Sequence, residues 1–542
     1  MKAGLPLAST LVTLLAIAGP PVWGQTHKLF AGDAEAGDEY GTSTALSGLL
    51  ATDSADQRAL LGASSEDSAG PDAGAAYVFE RTGLDWIETE KLIASDGAAQ
   101  DGFGASVSLT AATVVVGAPG ADTSGQDSGA VYVFELSGST WVQTAKLVGS
   151  DTAAGDRFGL AVSACGDRIL IGAPLKDSSA ADSGAAYVFE RTPAGWSETA
   201  ILSSPTPSAS DLFGIAVSLS AGRAAIGAPG DGVTGATFIF DVLGSIWTQT
   251  AKLMDSNGGF GASFGSSVSL DGDVVLIGAL QNGDIGPFAG VAYVFKHMAG
   301  AWFEDAKLIG SDTTSGDFFG VSVSLDAGTA LVGAFHHDPG VVGAGAAYAF
   351  EDSGMGWFQK AKFVASDAGV DDALGEAVAI AADTVLTGAR LDDDKGVSAG
   401  AAYVFCVDAC PPLVAGPLVL SAGAGGTHAF QLDAGADMAL DLYVLLGTLS
   451  GTAPGIPVDS FVLPLNLDSY TVFTLQSPSA APLAGSFGVL DVSGTGSASF
   501  TLPAGASPSL VGTTFHHAFL VLDPALALTT FVSNAVPLTI LP

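Results

Sequence analysis

The first three quarters of the chain consists of short apolar runs, rich in β-branched and aromatic residues, that alternate with turns of Gly, Asp and Ser. In residues 101–148, four such runs follow one another: ASVSL, TVVVG, AVYVFE and WVQTAKLV. Runs of this length that are bounded by turn residues predict β-strands. Helical periodicity is absent, so the pattern predicts an all-β fold of short antiparallel strands.

This four-strand pattern is an internal repeat. Residues 156–202 align with residues 101–147 without a gap. Six tryptophans mark the same position in successive copies: Trp86, Trp141, Trp196, Trp247, Trp302 and Trp357. A recurring glycine marks seven copies: Gly41, Gly104, Gly159, Gly214, Gly265, Gly320 and Gly375. Four antiparallel strands per copy make one propeller blade, so we predict a seven-bladed β-propeller over residues 25–408.

The two ends of the repeat array predict how the ring closes. The seventh copy ends after its third strand, GAAYVFC (400–406), while THKLFAGD (26–33) supplies a lone strand before the first copy. We therefore expect the N-terminal strand to complete the last blade and remove an open edge. Lysine recurs in the outermost strand, at Lys28, Lys91, Lys146, Lys252, Lys307 and Lys362. We interpret these lysines as protection against edge-to-edge pairing, in preference to a basic binding stripe.

The composition changes after the repeats, and residues 413–542 contain no Lys, Arg or Glu. The stretches THAFQLD, DLYVLLG, SYTVFTL, GSASFTL and HAFLVLD alternate in polarity. They predict a C-terminal β-sandwich over residues 409–542, to which the sequence assigns no activity.

The N-terminus predicts export. Lys2 precedes an apolar run over residues 5–18, and Gly24 is small enough for a cleavage site, so residues 1–24 are predicted to be a signal peptide. No later stretch reaches the roughly 18 apolar residues of a transmembrane helix. We expect a secreted, extracellular or cell-surface protein. Cys406 and Cys410 are candidates for a disulfide, although their spacing alone leaves the bond open.

The charge balance excludes one group of partners. The chain has 56 Asp and Glu against 18 Lys and Arg, a net charge of −38. Such a chain repels nucleic acids and anionic lipids, which are themselves polyanions. We expect a monomer whose partner is an extracellular protein or glycan.

Two motifs identify a family resemblance. Phe103-Gly104 is followed by Gly117-Ala118-Pro119, and the same FG and GAP elements recur in later copies. The chain resembles FG-GAP repeat proteins, which include the propeller of integrin α-subunits and many secreted bacterial proteins. The resemblance implies a propeller and an adhesive or binding role. The motif drifts in later copies, where Leu280, Phe335 and Arg390 replace Pro, and in the first and last copies, where Tyr40 and Leu374 replace Phe.

Calcium is the cofactor that the resemblance suggests. Integrin-type repeats bind calcium in an Asp-rich loop between the first two strands, where several oxygen ligands converge. Here that hairpin has at most two carboxylates in blades 2 to 7; for example, LDGDV (270–274) predicts a tight turn centred on Asp271-Gly272. The first copy has a longer insertion in which Asp53 and Asp56 could help to hold a cation. The alternative is an ordinary solvated loop.

Acidic residues concentrate instead in the other loops of the repeat. In a four-strand meander, the loop between the second and third strands shares one rim of the disc with the loop between blades. We call this the acidic rim, and its candidate binding residues are Asp96, Asp101, Asp122, Asp127, Asp151, Asp156, Asp177, Asp182, Asp312, Asp317 and Asp338. Two interpretations remain open: turn chemistry with solubility, or binding of a divalent cation or a cationic partner.

No catalytic motif of a common hydrolase or nucleotide-binding enzyme is present. The pairs His336-His337 and His516-His517 each lie on neighbouring positions, which point to opposite faces of a strand and therefore do not build a metal site alone. We predict non-catalytic recognition of a protein or glycan through the acidic rim, with calcium as a possible cofactor. The alternatives are an extracellular hydrolase or lyase with a site at the propeller axis, and a structural component of a surface or matrix.

Overall fold

The structure is a computed structural model. It describes residues 25–47, 57–82, 85–256, 259, 261–354, 356–407, 413–415, 419–421, 426–433, 440–449, 456–458, 461–463, 465–476, 479, 481–490, 495–503, 510–511, 513–523, 528–532 and 536–541. The predicted signal peptide, Asp53, Asp56 and Cys410 lie outside these residues. One compact unit comprises His27–Val404, and Phe405–Pro542 belongs to a second.

The first unit is built from short strands. The N-terminal strand is β1 (Gln25–Leu29). Blades 1 to 4 contain β2 (Tyr40–Ser47), β3 (Arg58–Ala63), β4 (Ala75–Thr82), β5 (Asp85–Leu92), β6 (Ser106–Leu109), β7 (Thr113–Ala118), β8 (Ala130–Ser137), β9 (Thr140–Leu147), β10 (Ala161–Cys165), β11 (Arg168–Ala173), β12 (Ala185–Thr192), β13 (Gly195–Leu202), β14 (Val217–Ser220), β15 (Arg223–Ala228), β16 (Ala236–Leu243) and β17 (Ile246–Leu253). Blades 5 to 7 contain β18 (Phe264–Asp271), β19 (Val274–Ala279), β20 (Val291–Met298), β21 (Ala301–Leu308), β22 (Val323–Asp326), β23 (Thr329–Ala334), β24 (Ala346–Asp352), β25 (Trp357–Phe363), β26 (Ala377–Ala381), β27 (Thr384–Ala389) and β28 (Ala401–Cys406).

These strands form seven four-stranded sheets, which confirms the predicted seven blades. Blades 1 to 6 each follow chain order, and the seventh has the order β1-β28-β27-β26. The N-terminal strand therefore completes the last blade, as predicted. One turn differs from its prediction: β18 and β19 pair Asp271 with Val274, so the turn is centred on Gly272 and Asp273. Gly272 has a φ of +56°, which glycine adopts without steric cost.

The motif glycines set the spacing between blades. A Cβ on Gly117 of the GAP element would lie 2.0 Å from the carbonyl oxygen of Gly159, the FG glycine of the next blade. The same contact closes the ring, since a Cβ on Gly388 would lie 1.9 Å from the oxygen of Gly41. The backbones of adjacent blades thus approach to a distance that no side chain allows.

Apolar side chains fill the space between the blades. One cluster joins Leu60 and Val78 of blade 1 to Phe103 and Tyr132 of blade 2, all fully buried. The rings of Phe103 and Tyr132 meet edge to face with centroids 5.5 Å apart, a favourable geometry for aromatic pairs. Equivalent clusters recur around the ring, so the motif aromatics are core residues.

The second unit contains the predicted β-sandwich. Its strands are β29 (Leu413–Ala415), β30 (Val419–Ser421), β31 (Gly426–Asp433), β32 (Leu442–Thr448), β33 (Ile456–Val458), β34 (Phe461–Leu463), β35 (Leu483–Ala484), β36 (Phe487–Val489), β37 (Thr495–Leu502), β38 (Thr514–Asp523), β39 (Leu528–Val532) and β40 (Val536–Leu541). One sheet has the order β29-β31-β37-β35, and the other has the order β30-β40-β38-β32-β36, with β39 on β38. Phe430, Phe500 and Phe519 lie in its core.

One predicted strand of this unit is wrong. The stretch SYTVFTL lies in the helix α1 (Ser469–Gln476). Asp468 caps the helix, because its Oδ1 accepts hydrogen bonds from the backbone nitrogens of Tyr470 at 2.9 Å and Thr471 at 2.8 Å. A carboxylate at this position satisfies the free amides of the first turn and outweighs the strand propensity of the sequence.

Candidate functional site

The acidic rim exists as one face of the ring. Since successive strands are antiparallel, the loop between the second and third strands lies at the same end of a blade as the connection to the next blade. All eleven candidate aspartates lie in these loops. Their carboxylates fall into three groups with different surroundings.

The first group consists of Asp96, Asp151 and Asp312. Each accepts a hydrogen bond from the hydroxyl of a buried tyrosine, as Tyr132 donates to Asp96 at 2.9 Å. Lys146 of the outer strand donates to the other oxygen of Asp96 at 2.6 Å. The hydrogen bond from Lys146 is the largest cause that lowers the pKa of Asp96. These carboxylates are partners of lysine and tyrosine rather than open ligand sites.

The outer-strand lysines therefore have a role that the sequence did not predict, as ion-pair partners of the acidic rim. The largest such group surrounds Lys28 of β1, whose Nζ lies 2.8 Å from Asp367, 2.8 Å from Asp392 and 2.6 Å from Asp394. Burial opposes the charge of Lys28, yet the three hydrogen bonds raise its pKa above the ordinary value. The ammonium group thus ties the N-terminal strand to blade 7.

The second group consists of Asp101, Asp156 and Asp317, which are between 3% and 6% exposed. Each accepts a hydrogen bond from a backbone nitrogen three residues earlier; for Asp101 the donor is Ala98, at 2.9 Å. Burial raises the pKa of Asp101 because a charge in this position has lost water. This group shapes turns and is not accessible to a ligand.

The third group consists of Asp122, Asp127, Asp177, Asp182 and Asp338. Asp122 accepts a hydrogen bond from the nitrogen of Asp127 at 2.8 Å, and Asp338 accepts one from Gly343 at 2.7 Å. Asp127 has a φ of +53°, a conformation that Asp adopts more readily than most residues. Turn chemistry accounts for this group, although it lies closer to solvent than the second.

Blade 6 replaces a lysine with a histidine. In blade 3, Lys176 lies 3.4 Å from Asp151 and 3.5 Å from Asp156. At the equivalent position, the buried His337 places Nδ1 2.7 Å from Asp317 and Nε2 2.8 Å from Lys362. The network is satisfied when Nδ1 carries the proton and Nε2 accepts from lysine. His336 is exposed, and both histidines lie in the turn after β23 rather than on a strand.

Metal and disulfide predictions remain open. Within the described residues, no group of three or more His, Cys, Asp or Glu side chains is placed to hold a metal ion. Asp53 and Asp56 lie outside those residues. Cys406 is disulfide-bonded and Cys165 is free, whereas Cys410 lies outside the described residues, so its pairing stays a prediction.

The sequence analysis missed an aromatic patch on the acidic rim, formed by Phe288, Phe318, Phe335 and His336. The ring centroids of Phe288 and Phe318 are 5.8 Å apart, and those of Phe318 and Phe335 are 5.4 Å apart. The ring of His336 lies 4.6 Å from that of Phe335. Phe288 is 51% exposed, and the rings of Phe318 and Phe335 are partly exposed. The feature of the sequence that could have revealed the patch is the replacement of the GAP proline by Phe335.

The FG-GAP repeat family matches residues 23–79, 86–134, 141–189, 196–240, 247–295, 302–350 and 357–405. The chain belongs to the FG-GAP repeat family. Each match runs from the outer strand of one blade to the third strand of the next, which agrees with the closure by β1.

Other comparisons are less informative. No curated protein matches the chain. Among solved structures, it is similar to a 6-phosphogluconolactonase-like protein from Bacteroides fragilis, with 11% identity and a TM-score of 0.41, over 63% of this chain and 89% of that chain. A similarity of this size does not bear on function. In the described part of this FG-GAP repeat protein, no helix is both long and apolar enough to cross a membrane.

Proposed function

We propose that this FG-GAP repeat protein is a non-catalytic binding protein that acts outside the cell and recognises a protein or glycan through the acidic rim. The aromatic patch supports the proposal most strongly. Large aromatic side chains are normally core residues, and a contiguous exposed group of them marks an interaction surface. Loops on a rigid scaffold are also where binding residues concentrate.

The propeller axis supports a non-catalytic role. The inner strands β6, β10, β14, β18 and β22 present a ring of serines whose hydroxyls accept backbone hydrogen bonds from the next blade. Ser108, for example, accepts from the nitrogen of Ala164 at 3.0 Å, and Ser163 accepts from Leu219 at 3.0 Å. These strands contain no His, Lys or Arg. Their Cys165, Asp271 and Asp326 each accept a hydrogen bond from a backbone nitrogen of the next blade. A hydrolase or lyase at the axis would require an acid, base or nucleophile that is not engaged in the scaffold.

Calcium enters the proposal only through the blade 1 insertion. Nine of the eleven rim aspartates accept hydrogen bonds from Lys, Tyr, His or backbone groups, which an ion would have to displace, and Asp127 pairs with Arg157. Asp53 and Asp56 are the carboxylates to which a calcium-assisted role is assigned. Oxygen ligands of this type suit calcium, although two carboxylates supply fewer ligands than the ion takes up.

The test compares two surfaces of the same ring. The mature chain, Gln25 to Pro542, would be presented to an array of neutral glycans and to a displayed library of random peptides. A rim variant, Phe288→Ser with Phe335→Ser, would be compared with a control, Leu243→Ser with Ile246→Ser. The control residues are 85% and 68% exposed in a hairpin at the opposite rim.

We expect binding that the rim variant loses and the control retains. Binding that both variants retain equally would refute recognition through this rim. Chemical conversion of a bound probe would refute the non-catalytic part of the proposal.

A further inference from the structure

We propose that the aromatic patch is the contact site for a basic protein segment, in which an apolar side chain packs on the phenylalanines while flanking Lys or Arg residues face the rim aspartates. This inference rests on the proposed function and names its partner class. It depends on three observations: a departure from the repeat, an uneven distribution of apolar residues, and the charge of the surrounding loops.

The side chains of the patch differ from those at the equivalent positions of blades 2 and 3, whereas the backbone is the same. Phe288 takes the position of Asp127 in blade 2, and Phe318 takes that of Arg157 in blade 3. The backbone hydrogen bond between the two positions persists, at 3.0 Å from Phe318 to Phe288 and 3.2 Å from Arg157 to Asp127. An ion pair of 3.8 Å between Asp127 and Arg157 thus occupies the place of the two aromatic rings.

The two phenylalanines are not required by the fold. Their φ angles are +56° and +55°, close to the +53° and +56° of Asp127 and Arg157. A bulky aromatic residue is uncommon at positive φ, and strained positions cluster at functional sites. Since polar residues serve the same backbone elsewhere in the ring, the aromatic side chains need an explanation other than folding.

Among the loops between the second and third strands, those that expose large apolar residues lie on one side of the ring. The loops between blades also expose such residues, including Ile93 between blades 1 and 2. Large apolar side chains are exposed in the loops between the second and third strands of blades 4 to 7, at Val233, Ile285, Phe288, Val342 and Val397. None is exposed in the corresponding loops 64–74, 119–129 and 174–184, all of which the structure describes. The patch lies within this apolar half, so a partner would contact blades 4 to 7 rather than the whole rim.

The charge of the loops selects the partner. The four segments 280–290, 309–319, 335–345 and 364–374 contain seven aspartates and no lysine or arginine. Three of the seven pair with lysines of the outer strands, and Asp317 and Asp372 are buried. Asp338 and Asp371 are exposed, so they are the carboxylates that face a partner. An apolar centre with a charged border is the usual anatomy of a protein interface, and complementary charge steers the encounter. Acidic glycans would be repelled, and a neutral glycan would gain nothing from the ionised border. A basic segment with an apolar anchor satisfies both features.

The test exchanges the patch for the polar pair that the chain already uses. The variant Phe288→Asp with Phe318→Arg reproduces blades 2 and 3 on the same backbone geometry, so it should fold. A matched control, Leu243→Asp with Ile246→Arg, makes the same pair of exchanges at exposed apolar residues of the opposite rim. Thermal unfolding of each protein would be measured first, and random peptides displayed on phage would be selected on the wild-type chain.

We expect the selected peptides to combine Lys or Arg with Phe, Trp or Leu. Their affinity should fall by about tenfold or more in the patch variant, as for a central interface anchor, and stay unchanged in the control. Replacing either Lys or the apolar residue of a selected peptide with Ser should weaken binding.

Three results would overturn the inference: no enrichment of such peptides, equal affinity for both variants, or patch-dependent binding of neutral glycans instead. Equal affinity for both variants with loss of binding in the variant Phe288→Ser with Phe335→Ser would overturn the assigned contact but leave rim recognition intact. Peptides that still bind both the variant Phe288→Asp with Phe318→Arg and the variant Phe288→Ser with Phe335→Ser would overturn the proposed function as well.

Discussion

The contact between Gly117 and the next blade predicts a large effect of a single methyl group. In the variant Gly117→Ala, the added Cβ would lie 2.0 Å from the oxygen of Gly159 and 2.4 Å from Oγ of Ser106. Both atoms are too close for a carbon, and the first belongs to the backbone of blade 3. Relief requires the two blades to separate by about 1 Å, since such contacts do not occur below about 3 Å.

The magnitude follows from what this movement breaks. Ser106 donates a hydrogen bond of 2.8 Å to the oxygen of Gly159, which contributes about 0.5–1.5 kcal/mol. Overpacking in a close-packed interface costs about 1–3 kcal/mol. The reduced entropy of the unfolded chain offsets about 0.4–1 kcal/mol. We therefore expect the free energy of unfolding to fall by about 2 kcal/mol, within a range of about 0.5–4 kcal/mol.

A second glycine of the same blade supplies the control. A Cβ on Gly97 would meet its nearest neighbours, in Ala69 and Ala94, at 3.4 Å, an ordinary contact. Gly97→Ala should therefore be neutral or stabilise slightly. Urea unfolding, followed by tryptophan fluorescence of the mature chain, measures both variants. Equal midpoints for the two variants would refute the interpretation that glycine sets the blade spacing.

Three further predictions concern charge. Lys28→Met should lower the free energy of unfolding by about 2 kcal/mol or more, because it leaves three carboxylates without their cation. Lys146→Met, which removes the cation of Asp96 alone, should have a smaller effect. Urea unfolding measures both variants, and equal losses would contradict the closure role of Lys28. Burial raises the pKa of Asp372 to about 6, so this group favours the folded state below its ordinary pKa of 3.8 and loses that contribution as the pH rises through 6. Asp372→Asn should therefore raise the free energy of unfolding by about 2–3 kcal/mol at pH 7.5 and change it little at pH 4, as measured by urea unfolding at both pH values. Asp156→Asn weakens a contact of 3.5 Å to Lys176 and should not raise the free energy of unfolding at pH 7.5. An effect of Asp372→Asn that does not depend on pH would contradict this reasoning. Calcium should raise the melting temperature of the wild type more than magnesium does, and this rise should disappear in the variant Asp53→Asn with Asp56→Asn. Chelation of calcium should therefore change the melting temperature of the variant little. A calcium-specific rise that persists in the variant would place the ion elsewhere.

The amino-acid sequence determined the blades because each blade is local in the chain. Its four strands lie within about 55 residues, so apolar runs, turn residues and a fixed period were sufficient to predict seven sheets. Closure could also be predicted, because a missing strand at one end matched a spare strand at the other. The helix at Ser469–Gln476 was missed because a capping carboxylate, rather than periodicity, decided it.

The tertiary structure decided what the rim presents. The sequence placed all eleven aspartates on one face but could not show which of them accept hydrogen bonds from lysine, tyrosine or backbone groups. Lys28 and Asp394 are 366 positions apart and meet only when the ring closes. Likewise Phe288, Phe318 and Phe335 belong to two blades, and their rings come together because the loops of neighbouring blades share one rim. Contacts between blades depend on the curvature of the closed ring, which no local pattern encodes.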